Sequence, residues 1–293
     1  MESKAINHEG SRARWQAYRR RPLSLLLRLA VTVSAAITVF VLIALVAYIL
    51  IKGIPNLRPS LFAWEYTSEN ASMLPAIINT ITMTVLSLLM AVPVGICSAI
   101  YLVEYAKRGN KLVSLVRITA ETLQGIPSIV YGLFGFLFLV VACKFGYSLL
   151  SGAITLAIMI LPLILRTTEE ALKAVPDLYR EGSFGLGAGR LRTVFRIVLP
   201  SAVPGILAGV ILAIGRIVGE TAALIYTSGT VAGVPDTLMG SGRTLAVHMY
   251  ALLSNGLYTE EAYATAVVLL VMVIGINALS GWLAKKVSAK QGE

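Results

Sequence analysis

The chain has 293 residues, 57% of them hydrophobic and only 14% charged, with 25 Lys and Arg against 15 Asp and Glu for a net charge of +10. That composition excludes an ordinary soluble domain, in which apolar and charged residues are far more evenly balanced. Two cysteines and two histidines form no disulfide framework or metal-ligand cluster, so no cofactor is expected.

A basic segment at 1–28, with Arg12, Arg14, Arg19, Arg20, Arg21 and Arg28, precedes the first of several apolar runs. The runs near 29–51, 74–102, 118–143, 149–165, 200–226 and 262–284 reach or approach the ~20 residues that cross a bilayer as a helix. The first is longer than the ~7–15-residue apolar core of a signal peptide, and it is expected to remain as a span. The predicted fold class is therefore all-α, a polytopic membrane protein with six transmembrane helices over 29–285 and a tail at 286–293. Most of the 25 basic residues fall before the first run, at 103–117, at 166–199 and after the last run. This bias places both termini in the cytoplasm, and the positive charge reads as topological rather than as nucleic-acid binding. Cys97 and Cys143 fall within runs and read as packed thiols; His8 and His248 are isolated.

The third run contains Gln124-Gly125-Ile126-Pro127-Ser128. Proline removes a helical hydrogen bond and frees a carbonyl inside a span. The result is either a break that lines a pathway, with Gln124 and Ser128 as its polar groups, or a simple kink. Arg117 with Glu121 and Arg166 with Glu170 share a four-residue spacing near span ends, where long side chains reach water. They read as local helix pairs.

Residues 170–199 are amphipathic and basic rather than apolar. Pro176 and Asp177 are suited to opening a short helix, and Gly185, Gly187 and Gly189 to ending it. The stretch GLGAGR is not G-x-G-x-x-G, and G-x-x-x-x-G-K-[ST] is absent from the sequence, so the chain shows no means of hydrolysing ATP. It is read as non-catalytic toward ATP.

The fifth run includes LAIGRIVGETAAL, residues 212–224, with Arg216 and Glu220 one helical turn apart. At ~100° per residue, Gly205, Gly209, Ala213, Arg216, Glu220, Ala223 and Thr227 share one stripe. Small residues permit close helix approach, and charges in a span face protein or water. The stripe is expected to face the interior of a complex, toward a partner subunit. A helix pair contributes only ~0.2–0.5 kcal/mol, against ~2.5–3.5 kcal/mol for inserting one central charge, so a functional role outweighs a structural one. The planar fork of arginine suits an oxyanion, and Glu220 is expected to compete for it when the path is empty. Beyond this run, 227–261 is punctuated by glycines, and TLAVHMYALL at 244–253 reads as a surface helix. It is either a seat for a binding protein or a packing cap.

Glu181-Gly182-Ser183, then Gly187, Ile197 and Leu199-Pro200, match the E-A-A-x3-G-x9-I-x-L-P signature, with Gly182 and Ser183 in place of the two alanines. On these residues the chain resembles ABC importer permeases. The resemblance implies a cytoplasmic coupling helix that seats in an ATPase subunit, with Glu181 contacting the partner or capping its own segment. Together with AIGRIVGETAAL, QGIPSIVYGLFGF at 124–136 and RTTEEALKAVPDLYREGSFGLGA at 166–188, the likeness narrows to the PstA-type permeases of high-affinity phosphate ABC transporters, from about residue 30 to 285. It implies a type I importer permease fold in the inner or cytoplasmic membrane and inorganic phosphate as cargo. The partners it implies are a second homologous permease subunit, two ATPase subunits and a periplasmic or lipid-anchored phosphate-binding protein. A permease for sulfate or molybdate, or a self-contained secondary transporter or channel, are the alternatives.

Overall fold

In lipid, backbone polar groups must find partners within the chain, which a helix supplies locally. The apolar runs accordingly fold as helices in the computed structural model, which describes residues 22–107 and 109–289. The predicted basic segment as far as Arg21, Arg108 and the last four residues of the tail lie outside the described residues. No strand occurs among the described residues.

The chain divides into two compact units, one up to Ile51 and one from Lys52. The first holds nearly all of α1, Pro22–Gly53, whose 32 residues extend ~48 Å. In the second unit, two single-turn 3-10 segments, Ile54–Asn56 and Pro59–Phe62, lead into α2, Leu74–Ile100, which continues as a π turn over Tyr101–Tyr105. Helix α3, Lys111–Gln124, starts where the Asn110 side chain accepts from the Leu112 N–H, satisfying one of the orphan donors of a first turn. Helix α4, Ser128–Gly135, continues as a π segment, Phe136–Ala142. α5 is Leu149–Lys173, capped by Ser148, and α6 is Asp177–Gly185. Then come α7 (Arg190–Thr193), a π turn (Val194–Val198), α8 (Leu199–Val218) and α9 (Ala222–Thr227). α10 (Leu245–Ser254) and α11 (Thr259–Ala289) complete the chain. Five helices are long and apolar enough to cross a membrane, or six when the bent pair α3 and α4 counts as one.

The alternative left open at Gln124–Ser128 resolves to a break, and other expectations change. The Gln124–Ser128 break is a 103° turn between α3 and α4, because Pro127 cannot continue the α3 ladder and instead enters α4 as its N-cap residue. The fifth run is not one helix: α8 ends at Val218, and Glu220 accepts a hydrogen bond from the Ala223 N–H at 3.1 Å, starting α9. Cys97 and Cys143 are both exposed; Cys97 sits on the helix face opposite the buried Gly95 and Ala99.

The core surrounds α5. Its Leu156, Met159, Ile160 and Ile164 meet Met83 of α2, Tyr131 of α4, Ala213 and Ile217 of α8 and Leu224 of α9. Between helices in lipid, dispersion and close approach replace the expulsion of water as the source of cohesion. The small-residue stripe of α8 serves this packing inside the chain rather than facing a partner subunit. A Cβ on Gly209 would lie 2.0 Å from Thr167 Oγ1, and one on Gly205 would lie 2.7 Å from the Ala171 Cβ, both on α5. At Gly132 the limit is main chain, since a Cβ would meet the Ala223 Cα at 2.8 Å.

Candidate functional site

Helix α6 stands between α5 and α7 as the predicted short helix. Its C-terminal turn closes through Leu186 N–H to the Gly182 carbonyl, Gly187 N–H to the Phe184 carbonyl and Ala188 N–H to the Ser183 carbonyl. Gly187 takes φ +80 with nothing near its missing side chain, so its requirement is backbone conformation alone. Ser183 is buried, and its hydroxyl pairs with Thr193 Oγ1 at 2.8 Å. The serine standing in the second alanine position thus ties α6 to α7. Glu181 and Gly182 are exposed, and Leu178, Tyr179, Phe184 and Leu186 of the same segment present apolar side chains outward. Ile197 lies half-buried in the π turn, and Leu199-Pro200 open α8.

Arg180 was not among the residues singled out from the sequence. Its side chain is 14% exposed and that of Glu104, its partner on the π end of α2, is 8% exposed. Nε and Nη2 donate to Glu104 Oε1 at 3.1 and 2.8 Å. Nη2 also donates to the Leu172 carbonyl at 2.9 Å, while Nη1 donates to the Val175 carbonyl at 2.8 Å and to Asp177 Oδ1 at 3.1 Å. One guanidinium therefore joins the end of α2, the end of α5 and the start of α6, filling carbonyls that a helix end leaves open. The sequence separates Arg180 from Glu104 by 76 positions, and no local spacing links them.

Of the two other predicted Arg/Glu pairs, Arg166 does bind Glu170 at 3.1 Å, and Glu121 at 2.9 Å as well. Arg117 does not take Glu121. It binds the buried Glu169 at 2.6 Å, a carboxylate shared with Lys173, because the packing of α3 on α5 brings a less exposed acceptor within reach.

Arg216 and Glu220 do not form an ion pair. Glu220 is 8% exposed and caps α9, so its carboxylate is committed to the backbone. Arg216, on the last turn of α8, is half-buried, has no carboxylate partner among the described residues, and lies within electrostatic range of Tyr131. Gln124 spans two helices, donating to the Pro162 carbonyl of α5 at 2.9 Å. Ser128 is half-buried at the first turn of α4, one turn from Gly132 and its contact with α9.

The profile of the family described as binding-protein-dependent transport system inner membrane component matches residues 91–291. A probable ABC transporter permease protein of Bacillus subtilis, YqgI, is 32% identical over 279 residues, covering 87% of this chain and 93% of that protein. The phosphate transport system permease protein PstA 2 of Mycobacterium bovis is 31% identical over 278 residues, 92% of this chain and 91% of that protein. PstA of Pasteurella multocida is 35% identical over 230 residues, 77% of this chain and 81% of its own. Among solved structures, a bacterial ABC transporter involved in alginate import superimposes with a TM-score of 0.60 at 18% identity, covering 93% of this chain and 98% of that one. The inward-facing MetNI methionine ABC transporter gives 0.58 at 20%, covering 73% and 95%. These likenesses carry the fold.

Proposed function

We infer the function from one premise: this chain belongs to the family of binding-protein-dependent transport system inner membrane components. It is a multi-pass permease subunit of an ABC importer, and its cargo is inorganic phosphate, as the names of its PstA relatives indicate. The protein lies in the inner or cytoplasmic membrane with both termini inside. It hydrolyses no ATP; two ATPase subunits do so, one of them seated on α6. A second homologous permease completes the pathway, and a periplasmic or lipid-anchored phosphate-binding protein delivers the ion.

The observation that carries the reading is α6 itself. It is a short helix between two spans, fixed from within by Arg180 and Ser183, with its apolar side chains turned outward. A self-contained transporter has no use for such a surface. For the anion, support comes from Arg216, whose fork is free to bind an oxyanion in bidentate fashion. Glu121, Glu169 and Glu170 neutralise the other arginines along α3 and α5. The test is ATPase activity of the reconstituted complex with its binding protein. Stimulation by phosphate is expected. Stimulation by sulfate or molybdate instead would reassign the cargo, and uptake by this polypeptide alone would remove it from the ABC class.

A further inference from the structure

Residues 228–244 fold over the first turns of α2, at the end of the second unit opposite α6. Asn79 of α2 donates to the carbonyls of Gly233 and Arg243 at 3.0 and 3.2 Å, and Thr80 accepts from the Leu245 N–H at 2.8 Å. Within this segment Arg243 is 6% exposed, with its guanidinium carbon 4.6 Å from the centre of the Tyr66 ring. No carboxylate pairs with it among the described residues, and its Nε and Nη2 have no hydrogen-bond partner. Those two nitrogens form the side edge of the guanidinium, the parallel donors that a carboxylate or oxyanion fills two at a time.

Two neighbours are in the same condition. His248 is fully buried and meets the same Tyr66 ring edge-on, 6.0 Å between centres. Neither of its ring nitrogens is bonded; the Ala71 backbone comes near without hydrogen-bond geometry. Asn79, also fully buried, leaves its Oδ1 unfilled. A buried, unpaired charge costs several kcal/mol, and each unfilled buried polar group costs ~1–3 kcal/mol more. Such a cluster survives where a ligand completes it. Burial lowers the Arg243 pKa, and burial followed by the Arg243 charge pushes His248 down to about 3. His248 is therefore neutral, with one donor and one acceptor nitrogen.

We propose that Arg243, His248 and Asn79 form an occluded site for a protonated tetrahedral oxyanion, a second station for the transported ion besides Arg216. The proposal rests on the phosphate-importer reading and sharpens it. The Arg243 edge takes two oxygens of the ion and the His248 N–H a third. Asn79 Oδ1 is an acceptor, and hydrogen phosphate has an O–H to give it, whereas sulfate at neutral pH has none. All five unfilled atoms are sealed from solvent, so the ion enters when the 228–244 segment, carrying Arg243 with it, parts from Asn79 and closes again.

The test uses the assembled permease–ATPase complex in detergent, without nucleotide or binding protein, carrying Arg216→Gln to silence the other station. Radiolabelled phosphate binding and thermal unfolding are measured against phosphate, sulfate and chloride. Saturable binding and stabilisation by phosphate are expected, with sulfate and chloride weaker by roughly tenfold or more. Arg243→Lys keeps the charge without the fork and should weaken phosphate binding to a similar degree. Asn79→Asp replaces an acceptor of the proposed site with a negative charge that repels an anion, so it should abolish the phosphate response even if the lysine variant does not assemble. Equal responses to all three anions would reduce the site to a counter-ion position, and phosphate affinity unchanged in Asn79→Asp would place binding elsewhere. Either result overturns the proposal while phosphate-stimulated ATPase activity, the test of the importer reading, stands independently.

Discussion

Arg216 and Glu220 are four positions apart and serve different ends, one left free in a span and the other capping α9. Arg216→Gln should abolish phosphate uptake with the complex still assembled, and Arg216→Lys should retain part of it at most. Exchanging the charges, Arg216→Glu with Glu220→Arg, should not restore uptake, since there is no pair to rebuild; wild-type transport by that double variant would show that neutralisation was all the two residues supplied. Glu220→Ala should cost ~1 kcal/mol of stability through the lost cap, read as a lower unfolding midpoint. His248 gives a prediction of pH dependence. Its folded pKa of about 3 lies below the ordinary value of 6.5, so between those values the unfolded chain binds the proton and the folded chain does not. Stability from this group is present above pH 6.5 and falls as the pH drops toward 3, by ~1.4 kcal/mol per unit. In phosphate-free detergent, His248→Phe should flatten the acid limb of the unfolding curve; an unchanged limb would mean that His248 is protonated in the fold.

At the scale of elements, α6 turns on the conformation of Gly187 rather than on its size. At φ +80 a β-branched residue is strained by ~1–3 kcal/mol, while asparagine tolerates the left-handed region. Gly187→Val should uncouple ATP hydrolysis from uptake and Gly187→Asn should preserve coupling, both measured in proteoliposomes at equal protein. Apolar length, proline and glycine are local signals, and from them the spans, the limits of α6 and the start of α10 were legible. The EAA-type spacing marked α6 for the same reason. What was not legible depends on which helix face meets which. A periodicity places Gly205 and Gly209 on one stripe, but only the packed structure shows that the stripe meets Thr167 and Ala171 of the same chain. The exchange of Glu121 for Glu169 beside Arg117, and the convergence of Arg180 on Glu104, are likewise long-range. The break at Gly219 escaped notice because Glu220 reads as a helix residue until its side chain turns to the backbone.

Across the molecule, Arg180 ties α6 to α2 through Glu104 and to α5 through the Leu172 carbonyl. Truncating one member of a buried pair strands the other, a loss of ~3–5 kcal/mol; Arg180→Met should therefore destabilise the subunit, while Arg180→Met with Glu104→Leu should recover stability without recovering coupling. A double variant that transports normally would show that the link carries no motion. The contacts that hold α6, from Arg180 to Glu104 and from Ser183 to Thr193, lie within one polypeptide. Read as the ATPase seat, α6 is expected to form without an ATPase present to shape it. Delaying ATPase expression in a pulse-chase should then leave the rate of complex formation as fast as when both are made together.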